Sequence, residues 1–114
     1  MADRPSPSCV AEAFEDPLLK ALSDPTRCAL LRTLAEVGPA DIATLAAAHP
    51  QDRSVISRHL RVMHGVGVVR SYKEGRHVVY ALDGPALIAR LEGLLATARA
   101  LVARCCPVDP PERP

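Results

Sequence analysis

"SVISRHLRVMHGVGVVRSYKEGRHVVYAL", residues 54–82, changes its period partway along. In the first half Ile56, Leu60 and Met63 recur at i, i+4 and i+7, the spacing of one buried helix face. Arg53, Ser54, Ser57, Arg58 and Arg61 fall mostly on the opposite side. A helix is predicted over 51–67, capped by Asp52 or Ser54 and closed by Gly65 and Gly67. From Val68 the period drops to two. Two Val- and Tyr-rich runs flank "KEGR" (73–76), which predicts a hairpin with Glu74-Gly75 as its two-residue turn.

Upstream, "PADIATLAAAHP" (39–50) predicts a short helix with Ile42, Leu45 and Ala46 inward, ended by Pro50. "SDPTRCALLRTLAEVG" (23–38) predicts a longer one. Ser23 or Asp24 caps it, Pro25 sits in its first turn, Leu30, Leu31 and Leu34 form its buried stripe, and Gly38 stops it. "CVAEAFEDPLLKALSD" (9–24) predicts a first helix with Val10, Phe14, Leu18, Leu19 and Leu22 apolar, bent or restarted at Pro17.

Downstream, "GPALIARLEGLLATARALVARCC" (84–106) predicts a helix of about six turns. Its apolar face, Leu87, Ile88, Leu91, Leu94, Leu95, Ala98, Leu101 and Val102, is broader than one small core needs. A partner chain would cover the surplus. Residues 1–8 and 107–114 are proline-rich and read as irregular tails around one unit, 9–106.

Two helices, a short connection and a hairpin make a winged helix-turn-helix, mainly α with a small β-hairpin. Its second helix enters the major groove of DNA. Arg53 and Arg58 suit guanine edges or phosphates, and Ser54 and Ser57 suit either. Arg61 lies on the same side, and Lys73, Arg76 and His77 at the hairpin tip suit backbone contacts. The connection "AAAHPQDRS" is long for this motif.

The 114 residues allow one domain, and a core of that size favours dimerisation. Lys+Arg (14) nearly balances Asp+Glu (13), so any DNA-binding surface must be local. With one Phe, two Tyr and no Trp, stacking on single strands is disfavoured. No run approaches a membrane span, and the start lacks the pattern of a signal peptide. A cytoplasmic setting is the expectation. There, four cysteines point to metal binding, redox sensing or packing rather than disulfides.

The segments "LLKALSDPTRCALLRTL" and "SVISRHLRVMHGVGVVRSYKEGRHVVYAL", with the long closing helix, resemble the ArsR/SmtB repressors. The matching positions are Asp24-Pro25-Thr26-Arg27, Ser54, Ser57, His59-Leu60, Gly67-Val68-Val69, Gly75-Arg76 and Tyr80-Ala81-Leu82. The likeness runs over roughly residues 14 to 103. It implies a homodimer through the first and last helices. It also implies binding to palindromic double-stranded operator DNA, released by a metal or metalloid ion.

Three ion sites used in that family are absent here. "ADIATLAA" carries no Cys-x-Cys before the recognition helix. Asp83 precedes the last helix, but no His follows His77. Val62 and Val66 stand where a cadmium/lead class has two cysteines. A thiol site must then draw on Cys9, Cys28, Cys105 and Cys106.

Cys105 continues the apolar face through Leu101 and Val102, and Cys106 lies about 100° round the helix. Adjacent Cα atoms stand about 3.8 Å apart, below the usual disulfide range. The pair suits a soft ion better. Two thiols satisfy mercury(II) or a monosubstituted organic arsenic(III), such as a methylated form, and inorganic arsenic(III) calls for a third. Some relatives in that family also carry cysteines at the end of the last helix. The third ligand would be Cys9, reaching across the dimer, or Cys28, for which a small core hydrophobe is the alternative. His59 reads as structural, His49 and His64 as solvated, and no histidine spacing makes a zinc site.

The alternative within the same fold is a thiol-redox or persulfide sensor built on Cys28 and a C-terminal cysteine. A small thiol enzyme is a remote alternative. No cysteine is followed by a phosphate-cradling loop, and there is no Cys-x-x-Cys.

Overall fold

The computed structural model describes residues 15–105. The front of the expected first helix with Cys9, Val10 and Phe14, both proline-rich tails and Cys106 lie outside the described residues. The elements are α1 (Pro17–Leu22), α2 (Pro25–Val37), β1 (Ala40–Asp41), α3 (Ile42–Ala48), α4 (Arg53–Val66), β2 (Val69–Glu74), β3 (His77–Leu82) and α5 (Gly84–Cys105).

Two "Asp-Pro" steps start the first two helices in the same way. Asp16 Oδ1 accepts from the Leu18 N–H at 2.7 Å. Asp24 Oδ1 accepts from the Thr26 and Arg27 N–H groups at 2.8 and 3.1 Å. In each helix the proline takes the first position, where a missing N–H costs nothing. Ser23 does not cap α2. Its hydroxyl donates back to the Lys20 carbonyl at 2.8 Å and closes α1. Gly38 (φ 85°) ends α2, and Gly67 (φ 95°) ends α4 with its N–H on the Met63 and His64 carbonyls.

The N–H-bonded carboxylate of Asp24 ties stability to acid pH. The Arg27 N–H, then the Thr26 N–H, hold the Asp24 carboxyl below the usual carboxylate range. A lowered folded value stabilises above the ordinary value of about 3.9 and is lost as pH falls through the lowered one. Asparagine caps as well as aspartate but does not titrate there. Asp24→Asn is therefore expected to flatten the fall in Tm between pH 5 and pH 2. A circular-dichroism melt series on both proteins checks this.

The sheet runs β1-β3-β2, antiparallel throughout. β1 was not visible in the sequence. It is two residues long, pairing Ala40 with Tyr80 and Asp41 with Val79, too short for any period to show. The turn also differs by one residue from the expectation. Glu74 pairs with His77, so the turn is Gly75-Arg76. Gly75 has φ 65°, and among the described residues no non-glycine has positive φ. Those are the signs of a type II′ turn, which puts glycine in the first central place.

The core is the expected one. Leu18, Leu30, Leu34, Leu45, Ile56, Leu60, Met63, Val68 and Val69 are essentially fully buried, and Ile42 and Ala46 pack against them. Helix α5 is divided. Leu87 and Leu94 pack on the core, while Ile88 (54%), Leu91 (40%), Leu95 (49%) and Val102 (55%) stay exposed. The exposed set falls at 88, 91, 95 and 102, a seam of heptad spacing. Helices α3 and α4 followed by the β2–β3 hairpin form a winged helix-turn-helix.

Candidate nucleic-acid interface

Helix α4 buries Ile56, Leu60 and Met63 and turns its other side outward. Arg53, Ser54, Arg58 and Arg61 are exposed, and Ser57 is half-buried. Arg70, Lys73 and Arg76 are exposed on the hairpin. Two open clefts flank α4. One is lined by Ser57, Arg61 and His64 of α4 and by Ser71 and Tyr80 of the hairpin. The other is lined by Asp41, Ile42, Ala43, Arg53, Arg76, His77 and Val78. Of the positive groups expected from the sequence, Arg53, Arg61, Arg76 and His77 line these clefts, while Arg58 and Lys73 line neither. Ser71, Tyr80 and Asp41 join the lining groups through strand pairing, which the one-dimensional pattern does not show.

Polar ties hold α4 and its surroundings. Arg27 donates through Nε to the Ala21 carbonyl at 2.8 Å and through Nη2 to the Lys20 carbonyl at 3.3 Å. Its Nη1 lies 3.2 Å from His59 Nδ1. A guanidinium only donates, so Nδ1 must accept and the ring proton sits on Nε2. His59 is thus a structural residue that joins α4 to the end of α1, as expected. Arg90 of α5 donates through Nε (3.1 Å) and Nη2 (2.6 Å) to the Val66 carbonyl, in the last turn of α4. That carbonyl has no partner within the helix, and a cation at a helix C-terminus is favourable. His49, expected in solvent, is instead half-buried, with Nε2 2.9 Å from Thr33 Oγ1. A further contact joins His77 Nδ1 to Asp41 Oδ2 at 3.3 Å.

The thiol positions are spread out. Cys28 is exposed rather than in the core, and its Sγ donates to the Leu22 carbonyl at 3.1 Å. Cys105 is the last residue of α5. Cys9 and Cys106 lie outside the described residues. Among the described residues no three His, Cys, Asp or Glu side chains gather into a metal site. No helix among them is long and apolar enough to cross a membrane.

Comparison with known proteins bears on what this arrangement is. The model of the family described as "Bacterial regulatory protein, arsR family" matches residues 24–71. The chain is 44% identical over 63 residues to the HTH-type transcriptional regulator CmtR of Mycobacterium tuberculosis, covering 55% of this chain and 52% of that one. It is 33% identical over 78 residues to a Staphylococcus aureus homolog of the cadmium resistance transcriptional regulatory protein CadC, covering 68% and 60%. The match thus spans about half the length of CmtR. A solved structure of a "possible transcriptional regulator for arsenical resistance" superposes with a TM-score of 0.63 at 34% identity, over 83% of this chain and 98% of that one. These relatives are regulators, not enzymes. With the winged helix, the basic α4 face and matches of this extent, the chain belongs to the ArsR family of bacterial regulatory proteins.

Proposed function

We propose that the chain is a homodimeric, cytoplasmic repressor that binds a palindromic operator and leaves it when a thiophilic ion is captured by cysteine thiolates. The ion is arsenic(III), inorganic or organic, or mercury(II). Cys105 and Cys106 are the primary ligands, with Cys9 or Cys28 as the third. Arg53, Ser54, Ser57, Arg58 and Arg61 face the major groove, and Lys73, Arg76 and His77 serve the wing. The working unit is 9–106, with 1–8 and 107–114 as tails.

The observation that carries this reading is the divided helix α5. One face packs on the core through Leu87 and Leu94 and holds the end of α4 through Arg90. The other offers Ile88, Leu91, Leu95 and Val102 to a second chain. The same helix ends at Cys105. An ion that draws thiols together at that end shifts α5 against its partner, and α4 moves with it. Two recognition helices must match the spacing of successive grooves, so a shift of either weakens the fit. Linkage then requires the ion to bind free protein more tightly than DNA-bound protein by the same factor. The names of the cadmium- and arsenical-resistance relatives support an ion of this kind. The donor chemistry favours the softer ions, since thiolates select them.

The dimer is tested with Leu91→Glu/Leu95→Glu. Both side chains are exposed in the single chain, so its fold should stand. Sedimentation should show a monomer, and operator affinity should fall about a hundredfold, because joined half-sites lose their mutual effective concentration. A variant that stays dimeric with unchanged affinity rules out the α5 seam. A redox or persulfide signal is the second reading, and the exposed Cys28 thiol favours it. Peroxide or persulfide in metal-free buffer would then release DNA, reversibly by reductant.

A further inference from the structure

The two oxygens of the Asp41 carboxylate go to two different parts of the recognition unit. Oδ1 accepts from the Thr44 N–H at 2.8 Å and caps α3, the first helix of the helix-turn-helix. Oδ2 faces His77 Nδ1 at 3.3 Å, at the start of β3. Asp41 is also the last residue of β1, paired with Val79 of the same strand. Among the described residues this is the one ion pair between different elements of the chain.

We propose that Asp41 is a positioning residue for DNA binding, which sets the wing against the helix-turn-helix by holding His77. This rests on the DNA-binding reading above. In it, His77 works through Asp41 rather than by touching a phosphate, and the contact places Arg76 beside Arg53 across their shared cleft. Lys73 and Arg76 then meet the DNA backbone at a fixed distance from α4.

Several charged groups share this region. Arg53 and Arg76 line the cleft with Asp41 and His77. Glu74 is paired directly opposite His77 in the hairpin register. The Thr44 N–H above all, and His77 as a lesser cause, hold the Asp41 carboxyl below the usual carboxylate range. Asp41 therefore stays charged at neutral pH.

Charge counting and positioning predict opposite signs for one substitution. Asp41 is an acidic group beside two arginines on a DNA-facing cleft, so plain electrostatics has Asp41→Asn tighten DNA binding. Positioning has it weaken binding. Asparagine caps a helix as well as aspartate does, so α3 and the fold should survive. The probe is a labelled duplex selected from a random library with the wild-type chain, read by fluorescence anisotropy. At pH 6.0, Asp41→Asn and His77→Ala are each expected to weaken binding about threefold, the scale of an exposed ion pair. The double variant should be no weaker than either single, since both remove one contact. The slope of affinity against salt should not change, because no phosphate contact is lost. Glu74→Gln should reproduce none of this.

Equal or tighter binding by Asp41→Asn at pH 6.0 overturns the proposal. So does a His77→Ala variant whose salt slope drops by about one phosphate contact, with an effect that adds to that of Asp41→Asn. If the wild-type chain selects no duplex, the DNA-binding reading fails, and the positioning role fails with it. Selection by wild type with unaltered variants defeats the positioning role alone.

Discussion

Cys105→Ser/Cys106→Ser is expected to bind operator DNA within about twofold of the wild-type chain and to stay bound when the inducing ion is added. A serine hydroxyl is a hard, neutral oxygen, and soft ions prefer thiolate by a wide margin. Serine is close to cysteine in size, so the fold should be kept. In wild type the ion should weaken operator binding by roughly 5- to 150-fold, the usual range of coupling between two sites. In the variant that ratio should fall below about twofold. Cys28→Ser separates the third ligand. If Cys28 is that ligand, the response to inorganic arsenic(III) is lost, while the response to a monosubstituted arsenic(III) is kept. Anisotropy titrations on the three proteins decide both points. Undiminished release from the double variant would remove the α5 thiols from the account.

Arg90→Ala is expected to act on the transmission of the signal rather than on its reception. Arg90 is half-buried, and two of its N–H groups converge on one carbonyl at the end of α4. Hydrogen bonds from charged groups contribute about 1.5–3 kcal/mol. Alanine leaves the Val66 carbonyl without this partner, and chemical denaturation should report a loss of that size. The larger consequence concerns α5, which would still move on ion binding but with a looser hold on α4. The ion-induced loss of operator affinity should shrink about tenfold, within the range that coupling energies allow. Ion affinity measured without DNA should stay unchanged. Arg90→Lys keeps the charge but loses the paired donors, so it should recover only part of the effect. A coupling ratio equal to wild type would show that α5 reaches α4 by packing alone.

The helices and the core were legible because each has a period. Leu30, Leu31 and Leu34 in one helix and Ile56, Leu60 and Met63 in another recur at helical spacing, and all are buried. The second "Asp-Pro" was legible as a cap and the first as a restart, since proline fixes where a helix can begin. Other features depend on pairs far apart in the chain. β1 exists because Ala40 and Asp41 meet β3 about forty residues later, and no local pattern records such a meeting. The same holds for Arg90 on Val66, Arg27 on His59, His49 on Thr33 and Asp41 on His77. The turn was placed one residue early because Glu74-Gly75 resembles an Asp-Gly turn, whereas the strand register gives the first central place to Gly75. Cys28 looked equally suited to a core or to a ligand. Its place on the outer side of α2 settles its exposure but not its role.

Thiol capture of a soft ion is proposed to release this chain from DNA. The most direct measurement is the anisotropy of a labelled operator bound by the reduced wild-type chain. The titrants are arsenite, a monosubstituted arsenic(III), mercury(II), cadmium(II) and zinc(II). Thiol capture predicts release by mercury(II) and the monosubstituted arsenic(III), with arsenite effective to the extent that a third thiol is within reach, and little or none by zinc(II). DNA that stays bound through every thiophilic ion would contradict it.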